Sequence, residues 1–213
     1  MYTLCNFFEV KRIQMENSII QDFSIEALQN GDRTEFARLV DTYSPQIYRL
    51  GLKMLGNQQD AEDVLQNTFL NALTHIAGFE GRSSLSTWLY RIAANEALML
   101  IRKRKPNINI EDMQHENADD VPLPETFVDW SVLPEKELVT GEGKKAIESA
   151  VKRLPENLRM VFVLRDVEGI SIKETAEILN LTEVNVKTRL LRARMALREQ
   201  LSSYYAERTL RKD

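Results

Sequence analysis

Cysteine, histidine and long apolar runs are scarce in this sequence, and each shortage excludes a class of protein. The one cysteine, Cys5, has no partner for an internal disulfide. That favours a reducing compartment, so a cytoplasmic location is expected. The two histidines, His75 and His115, share no metal-ligand spacing with Cys5, so no metal and no other cofactor is expected. No apolar run approaches the roughly 18 residues that a membrane span needs. The opening MYTLCNFFEVKRIQM lacks a basic leading segment and does not read as a secretory signal. Met15 is an equally good start for the chain. GEGKK at 141–145 has the wrong glycine-to-lysine spacing for a phosphate loop, and no strand is predicted before it. Asp119 and Asp120 have no rigid frame to make a paired acid site. No catalytic constellation is present, and an enzyme is not expected.

Positive charge is also in short supply, with 28 basic against 32 acidic side chains and a net charge of -4. Taken whole, that argues weakly against a nucleic-acid binder. The distribution argues otherwise. Residues 107–140 hold nine acidic side chains and one basic. Residues 31–106 carry a small positive excess, and residues 141–213 a larger one. The acidic stretch has three prolines before Glu135 and little periodicity, so it reads as a flexible linker over 107–133. A solvated loop is its plain reading, and transient shielding of a basic surface is the other.

What is abundant is helical periodicity. An all-α chain of two small helical domains is expected, over 22–106 and 134–203. Ser24 can cap a short helix that Gly31 ends. A second helix from about Thr34 places Phe36, Leu39, Val40 and Tyr43 on one face, and Pro45 opens or kinks the run that follows. Gly56-Asn57 stops it. A third helix, from about Gln59 to Ile76, has Val64, Leu65, Phe69, Leu73 and Ile76 as its apolar stripe. A fourth, from about Leu85 to Lys105, buries Leu89, Ile92, Ala93 and Leu100, and Pro106 ends it. Beyond the linker, Pro134 suits the first turn of a helix reaching Leu154. Pro155 starts another, with Leu158, Val161, Phe162 and Leu164 buried and Gly169 as terminator.

The stretch SIKETAEILNLTEVNVKTRLLRAR, residues 171–194, carries the sharpest local signal. Ser171 and Glu174 form a capping box. Ile172, Ala176 and Leu179 line one face of a short helix. Asn180 falls where a left-handed backbone is needed, and Thr182 can cap the next helix. There Val186 and Leu190 face inward, while Glu183, Val184, Asn185, Lys187, Thr188, Arg189 and Arg192 face outward. Helix, tight turn, helix with a basic outer face is a helix-turn-helix pattern, whose second helix enters the major groove. Asn185 can bond adenine, and Lys187, Arg189, Arg192 and Arg194 can meet phosphates. A basic amphipathic helix is also a common solvated face, so this stretch alone leaves both readings open.

The first domain adds a different mixture. FEGRSSLSTWLYRIAANEALMLIRKRK sets Phe79, Trp88 and Tyr90 among Arg82, Arg91 and the run Arg102 to Lys105. Aromatics can stack on unpaired bases while cations follow the backbone. Trp88 can equally be core, and basic residues suit a helix C-terminus. The acidic start of the third helix, Asp60, Glu62 and Asp63, fits the helix dipole or a basic partner.

Taken in order, these motifs resemble the bacterial RNA polymerase sigma factors, and more narrowly the extracytoplasmic-function (ECF) group. The likeness runs over about residues 22 to 203. It rests on GDRTEFARLVDTYSPQIYRLGLKMLGNQQDAEDVLQNTFLNAL and FEGRSSLSTWLYRIAANEAL, then on LPENLRMVFVLRDVEGISIKETAEIL and NLTEVNVKTRLLRAR. It implies a factor that binds core polymerase, directs promoter-specific initiation and carries no catalysis itself. It implies a winged-helix-like, four-helix C-terminal domain. Asp60, Asp63, Gln66, Asn67 and Phe69 would form or support the surface for the clamp helices of the beta-prime subunit, with the beta flap as a second contact. Phe79, Gly81, Arg82, Ser83, Ser84, Trp88, Arg91 and Asn95 would take the melted -10 strand. The outer face from Glu183 to Arg192 would read the -35 element as duplex. The family commonly has an anti-sigma partner, and the free chain is expected to be a monomer.

Four positions depart from the family pattern. Met99 stands where many relatives have aspartate, and Asn67 replaces the usual glutamate. Asn180 replaces a common glycine, and Val184 adds an apolar group that can touch a thymine methyl. The first twenty or so residues have no counterpart. The rival readings are a stand-alone helix-turn-helix regulator and a helical adaptor that binds protein.

Overall fold

The computed structural model describes residues 23–104 and 141–210. The linker and the expected helix start at Pro134 lie outside them. Among the described residues the chain is helical throughout, in two regions. The first holds α1 (Ile25–Gln29), α2 (Arg33–Leu55), α3 (Gln58–His75) and α4 (Leu85–Arg104). The second holds α5 (Gly141–Arg153), α6 (Glu156–Phe162), α7 (Ile172–Leu179) and α8 (Glu183–Leu210).

Short polar side chains start most of the first region's helices. Ser24 Oγ accepts from the Ala27 amide, Asp32 from Thr34 and Glu35, and Asn57 from Asp60. Each satisfies amides that have no partner inside the helix. α2 runs on through Pro45, so the proline opens no new helix there. Proline cannot donate to the Asp41 carbonyl, but the turns on both sides hold. The neighbouring Ser44 hydroxyl donates to the Val40 carbonyl at 2.6 Å. Packing outweighs the one lost bond, since Tyr43, Ile47 and Leu50 are all buried. Gly56 then ends the helix at φ +80°.

The seam between α2 and α3 is made of small residues. A Cβ on Gly51 would meet the Ala61 Cα at 3.0 Å, so only glycine fits there without a shift. α3 accordingly buries Ala61, Val64, Thr68, Phe69 and Ala72. Leu73 was expected in that stripe, but it is 53% exposed, and Leu70 beside it is 61% exposed. The buried arc is set by the small residues that admit α2, and Leu73 falls outside it.

In the second region, Pro155 caps α6, and Val161, Phe162 and Leu164 are buried as expected. Val163–Val167 form a π turn, and Gly169 takes φ +74° beyond it. Ser171 and Glu174 make the reciprocal capping box at α7. Asn180 adopts φ 53°, ψ 48°, the left-handed conformation expected of it. Thr182 Oγ1 accepts from the Asn185 amide at 3.1 Å and opens α8. Val186, Leu190, Ala193, Leu197 and Leu201 are the core side of α8.

Candidate nucleic-acid interface

The first candidate surface is the turn entering α4. Phe79 is buried, and its ring packs on Trp88 with centroids 5.4 Å apart. The Gln29 amide donates to the Phe79 carbonyl at 2.7 Å and pins the start of the turn. Gly81 bends the chain at φ +70°. Ser84 Oγ accepts from the Thr87 amide at 3.1 Å and lies 2.8 Å from both the Ser86 and Thr87 hydroxyls. Beside this turn lies a cavity of about 570 Å³. Its walls are Gly78, Phe79, Glu80, Gly81, Arg82, Ser83, Trp88 and Arg91, with Glu177 reaching in from α7. Arg82 is exposed and pairs with Glu80. Arg91 donates to the Glu177 carbonyl at 2.7 Å. Ser84 and Asn95 are exposed beside the cavity but do not line it. The expected grouping of aromatics and cations is thus largely brought together. Tyr90 is the exception, buried on the opposite side of α4. Residues 88 and 91 share one helix face, whereas residue 90 lies most of a half-turn away.

The second surface is α3. Gln66 is exposed, and Asp63 and Asn67 are half-buried. Asp60 and Phe69 lie inside. The Asp60 carboxylate is bound by Asn57 and by Arg104. Phe69 packs edge-on against Phe36, with centroids 6.5 Å apart. Both can support a docking surface but cannot form its outer face. Asn71 donates to the buried Glu96 of α4 at 2.9 Å and ties the two helices together.

The third surface is the start of α8. Glu183, Val184 and Lys187 are exposed, and Asn185, Arg189 and Arg192 are half-buried. Thr188, expected to face outward, is only 6% exposed. α8 packs on α5, α6 and α7 together, so its covered arc is wider than a single Val186–Leu190 stripe. Arg194 is also engaged internally. It donates to both Asp166 carboxylate oxygens, at 2.7 and 2.8 Å, which is the bidentate geometry that suits guanidinium best.

A fourth set of contacts, which the sequence did not reveal, joins the two regions. Arg49 of α2 donates to Glu168 at 2.8 and 3.3 Å, and the Tyr90 hydroxyl lies 3.5 Å from it. The Glu168 side chain is only 1% exposed. Burial opposes the charge on Arg49, but the Glu168 hydrogen bond and charge together raise its pKa above the ordinary value. Burial first, and then the Glu168 charge, push the Tyr90 phenol far up. Arg159 donates to the Met54 carbonyl at 2.6 Å and Lys152 to the Gly56 carbonyl at 3.3 Å. Both cations therefore sit at the C-terminus of α2, where its dipole favours them. Burial lowers the Arg159 pKa.

Comparison with known proteins places this architecture in a family. The Sigma-70 region 2 model matches residues 39–106, and the Sigma-70 region 4 model matches residues 144–197. The chain is 39% identical over 177 residues to the ECF RNA polymerase sigma factor SigW of Bacillus subtilis. That match covers 83% of this chain and 94% of the relative. It is 32% identical to the ECF RNA polymerase sigma-E factor of Haemophilus influenzae, over 88% of this chain and 98% of the relative. Among solved structures, CnrH in complex with the cytosolic domain of CnrY shares the fold at a TM-score of 0.59 and 21% identity, over 84% of this chain and 95% of that one. RpoE of Bartonella quintana, in complex with the anti-sigma factor NepR, shares it at 0.57 and 24% identity, over 79% and 97%.

The chain belongs to the ECF family of RNA polymerase sigma factors. It directs RNA polymerase to promoters and is not itself an enzyme. The rival reading as a stand-alone regulator fails, because both sigma regions are matched in order. Among the described residues, no helix is long and apolar enough to cross a membrane.

Proposed function

We propose a division of labour among the surfaces, with residues 22–106 and 134–203 as working domains. Asp63, Gln66 and Asn67 on α3 face the clamp helices of the beta-prime subunit, and Asp60 and Phe69 hold that face in shape. The second domain makes the further contact with the beta flap. The cavity at the start of α4 receives a base from the melted -10 strand. Trp88 supplies a stacking face, while Arg82 and Arg91 supply charge for the backbone. α7 and α8 form a helix-turn-helix of the winged-helix-like, four-helix kind that enters the -35 major groove. There Glu183, Val184, Asn185 and Lys187 reach base edges, and Arg189 and Arg192 set the register on phosphates.

The observation that carries this reading is the joining of aromatic and cationic side chains around one open cavity of about 570 Å³. Both DNA contacts act within one polymerase complex, so the second is effectively intramolecular. A net-negative chain therefore needs no strong DNA affinity of its own. An anti-sigma protein is the natural inhibitor, since the Bartonella quintana relative was solved with one. Reconstituted transcription tests the whole scheme. Core polymerase plus this chain should give discrete transcripts from a library of genomic promoters. No transcript above core alone would overturn it.

A further inference from the structure

Between α6 and α7 the backbone takes one π turn, Val163–Val167. The Glu168 amide donates to the Val163 carbonyl at 2.9 Å, five residues back, where an α-helix would close on the fourth. Such turns are rare and recur at functional sites. Val163 and Leu164 are buried beneath this one, and Asp166 stands on it. Its carboxylate takes the Arg194 guanidinium in a fork, Nε at 2.8 Å and Nη2 at 2.7 Å. The pair is mostly covered, with the Asp166 side chain 17% exposed and the Arg194 side chain 34%. Only the arginine belongs to the helix proposed to read DNA, two residues beyond Arg192.

This pair withdraws a cation from DNA. Arg194 is part of the basic run expected to meet phosphates, yet its forked donors face Asp166. A neighbouring carboxylate cancels its charge, so it adds little to phosphate attraction. The pair also fixes how α8 is set on its domain. Val186, Leu190 and Ala193 hold α8 down, but burial of apolar surface has no preferred direction. A bidentate pair has one, because two parallel bonds must be kept at once. Asn185 lies nine residues before Arg194, about 14 Å along the helix at 1.5 Å per residue. A tilt of about 5° at the pair therefore moves Asn185 by about 1 Å, enough to break a hydrogen bond to a base edge.

We propose that Asp166 is a positioning residue for -35 recognition: by gripping Arg194 it sets α8 in register with the base edges and keeps that cation off the phosphates. Sequence discrimination then depends on a side chain that touches no base. The proposal rests on the assignment of α8 to the -35 groove. Phosphate contacts carry no sequence information, so withholding one trades non-specific affinity for selectivity. That suits a factor whose second DNA contact is tethered through polymerase.

Holoenzyme made from core polymerase and the full chain tests this on a promoter library randomised at the -35 element. Transcript yield gives the preference for each base. The salt dependence of holoenzyme binding to the preferred promoter is measured beside it. Asp166→Asn keeps the shape and leaves the Arg194 charge uncancelled by its partner. Discrimination between the preferred -35 element and its single-base variants should fall about three- to tenfold, part of what one base contact supplies. The slope of log affinity against log salt should steepen by about 0.9, the value of one added phosphate contact. Arg194→Lys keeps the charge pair but loses the fork, so discrimination should fall while the slope stays. Exchanging the two, Asp166→Arg with Arg194→Asp, should restore discrimination to within about twofold. A clear -35 preference that Asp166→Asn leaves unmoved would overturn the proposal and keep the assignment of α8. No -35 preference in the unmodified factor would sink that assignment and the proposal with it. Lost discrimination that the exchange does not mend, with a lowered melting temperature, would make the pair a fold contact only and overturn the proposal too.

Discussion

Removing the Trp88 indole tests the proposed -10 assignment of the cavity most directly. Trp88→Ala deletes one wall of the cavity and leaves Phe79 without its ring partner. A base–aromatic stack is worth about 1 to 3 kcal/mol. One side of the indole is already spent on Phe79, and Trp88 is half-buried, so only one face is open to a base. The lower part of that range, about 1 to 2 kcal/mol, is therefore expected. At about 1.4 kcal/mol per tenfold, that is a 5- to 30-fold loss of open-complex stability. Trp88→Phe keeps a stacking ring and should lose no more than about threefold. Permanganate reactivity of unpaired thymines, with core polymerase and a cognate promoter, reads this directly. Binding of a duplex -35 fragment serves as the control and should not change. Equal losses in both assays would mean that the substitution damages the fold. An unchanged open complex would mean that no base stacks there.

Three further outcomes follow from the same coordinates. Asn180→Gly should leave stability within about 0.5 kcal/mol, whereas Asn180→Val should cost about 1 to 2 kcal/mol in urea unfolding, because a β-branched residue resists the left-handed turn. Gly51→Val should cost about 1 to 3 kcal/mol, since its Cβ would meet backbone at 3.0 Å, and a loss below about 0.5 kcal/mol would show that α2 and α3 yield freely. The folded chain raises the Tyr90 pKa above the ordinary 10.0, so Tyr90 stabilises the fold below that pH and the stability drains away as pH rises beyond it. The melting temperature should fall above pH 10 and fall less in Tyr90→Phe, and parallel curves would remove Tyr90 as the cause.

Local signals survived the passage from sequence to structure, and long-range ones did not. The capping box at Ser171 and the left-handed turn at Asn180 depend on residues within one turn of each other. Neighbouring side chains and backbone chemistry determine them, so a linear pattern contains them in full. Tyr90 was misplaced although spacing alone sets it on the far side of α4 from Trp88 and Arg91, while Leu73 and Thr188 were misplaced for another reason. Periodicity gives the direction of a helix's apolar face but not the number of helices that cover it. Pro45 was read as opening or kinking the run because its local cost is visible and the packing of Tyr43, Ile47 and Leu50 that outweighs it is not. Glu168 carried no signal at all, since Arg49 lies 119 residues away. For the site, the aromatic and basic mixture marked most of the cavity's walls, while Glu177 came from the other helical region.

The small-residue seam between α2 and α3 has a mechanical meaning. Close-packed surfaces transmit displacement instead of absorbing it. A Cβ on Gly51 would press on the Ala61 backbone at 3.0 Å, so the two helices meet there almost backbone to backbone. Arg49 stands two residues before Gly51 on that helix. Arg49 therefore stands on the stretch of α2 that lies nearest α3, where the two backbones leave room for no side chain larger than a hydrogen.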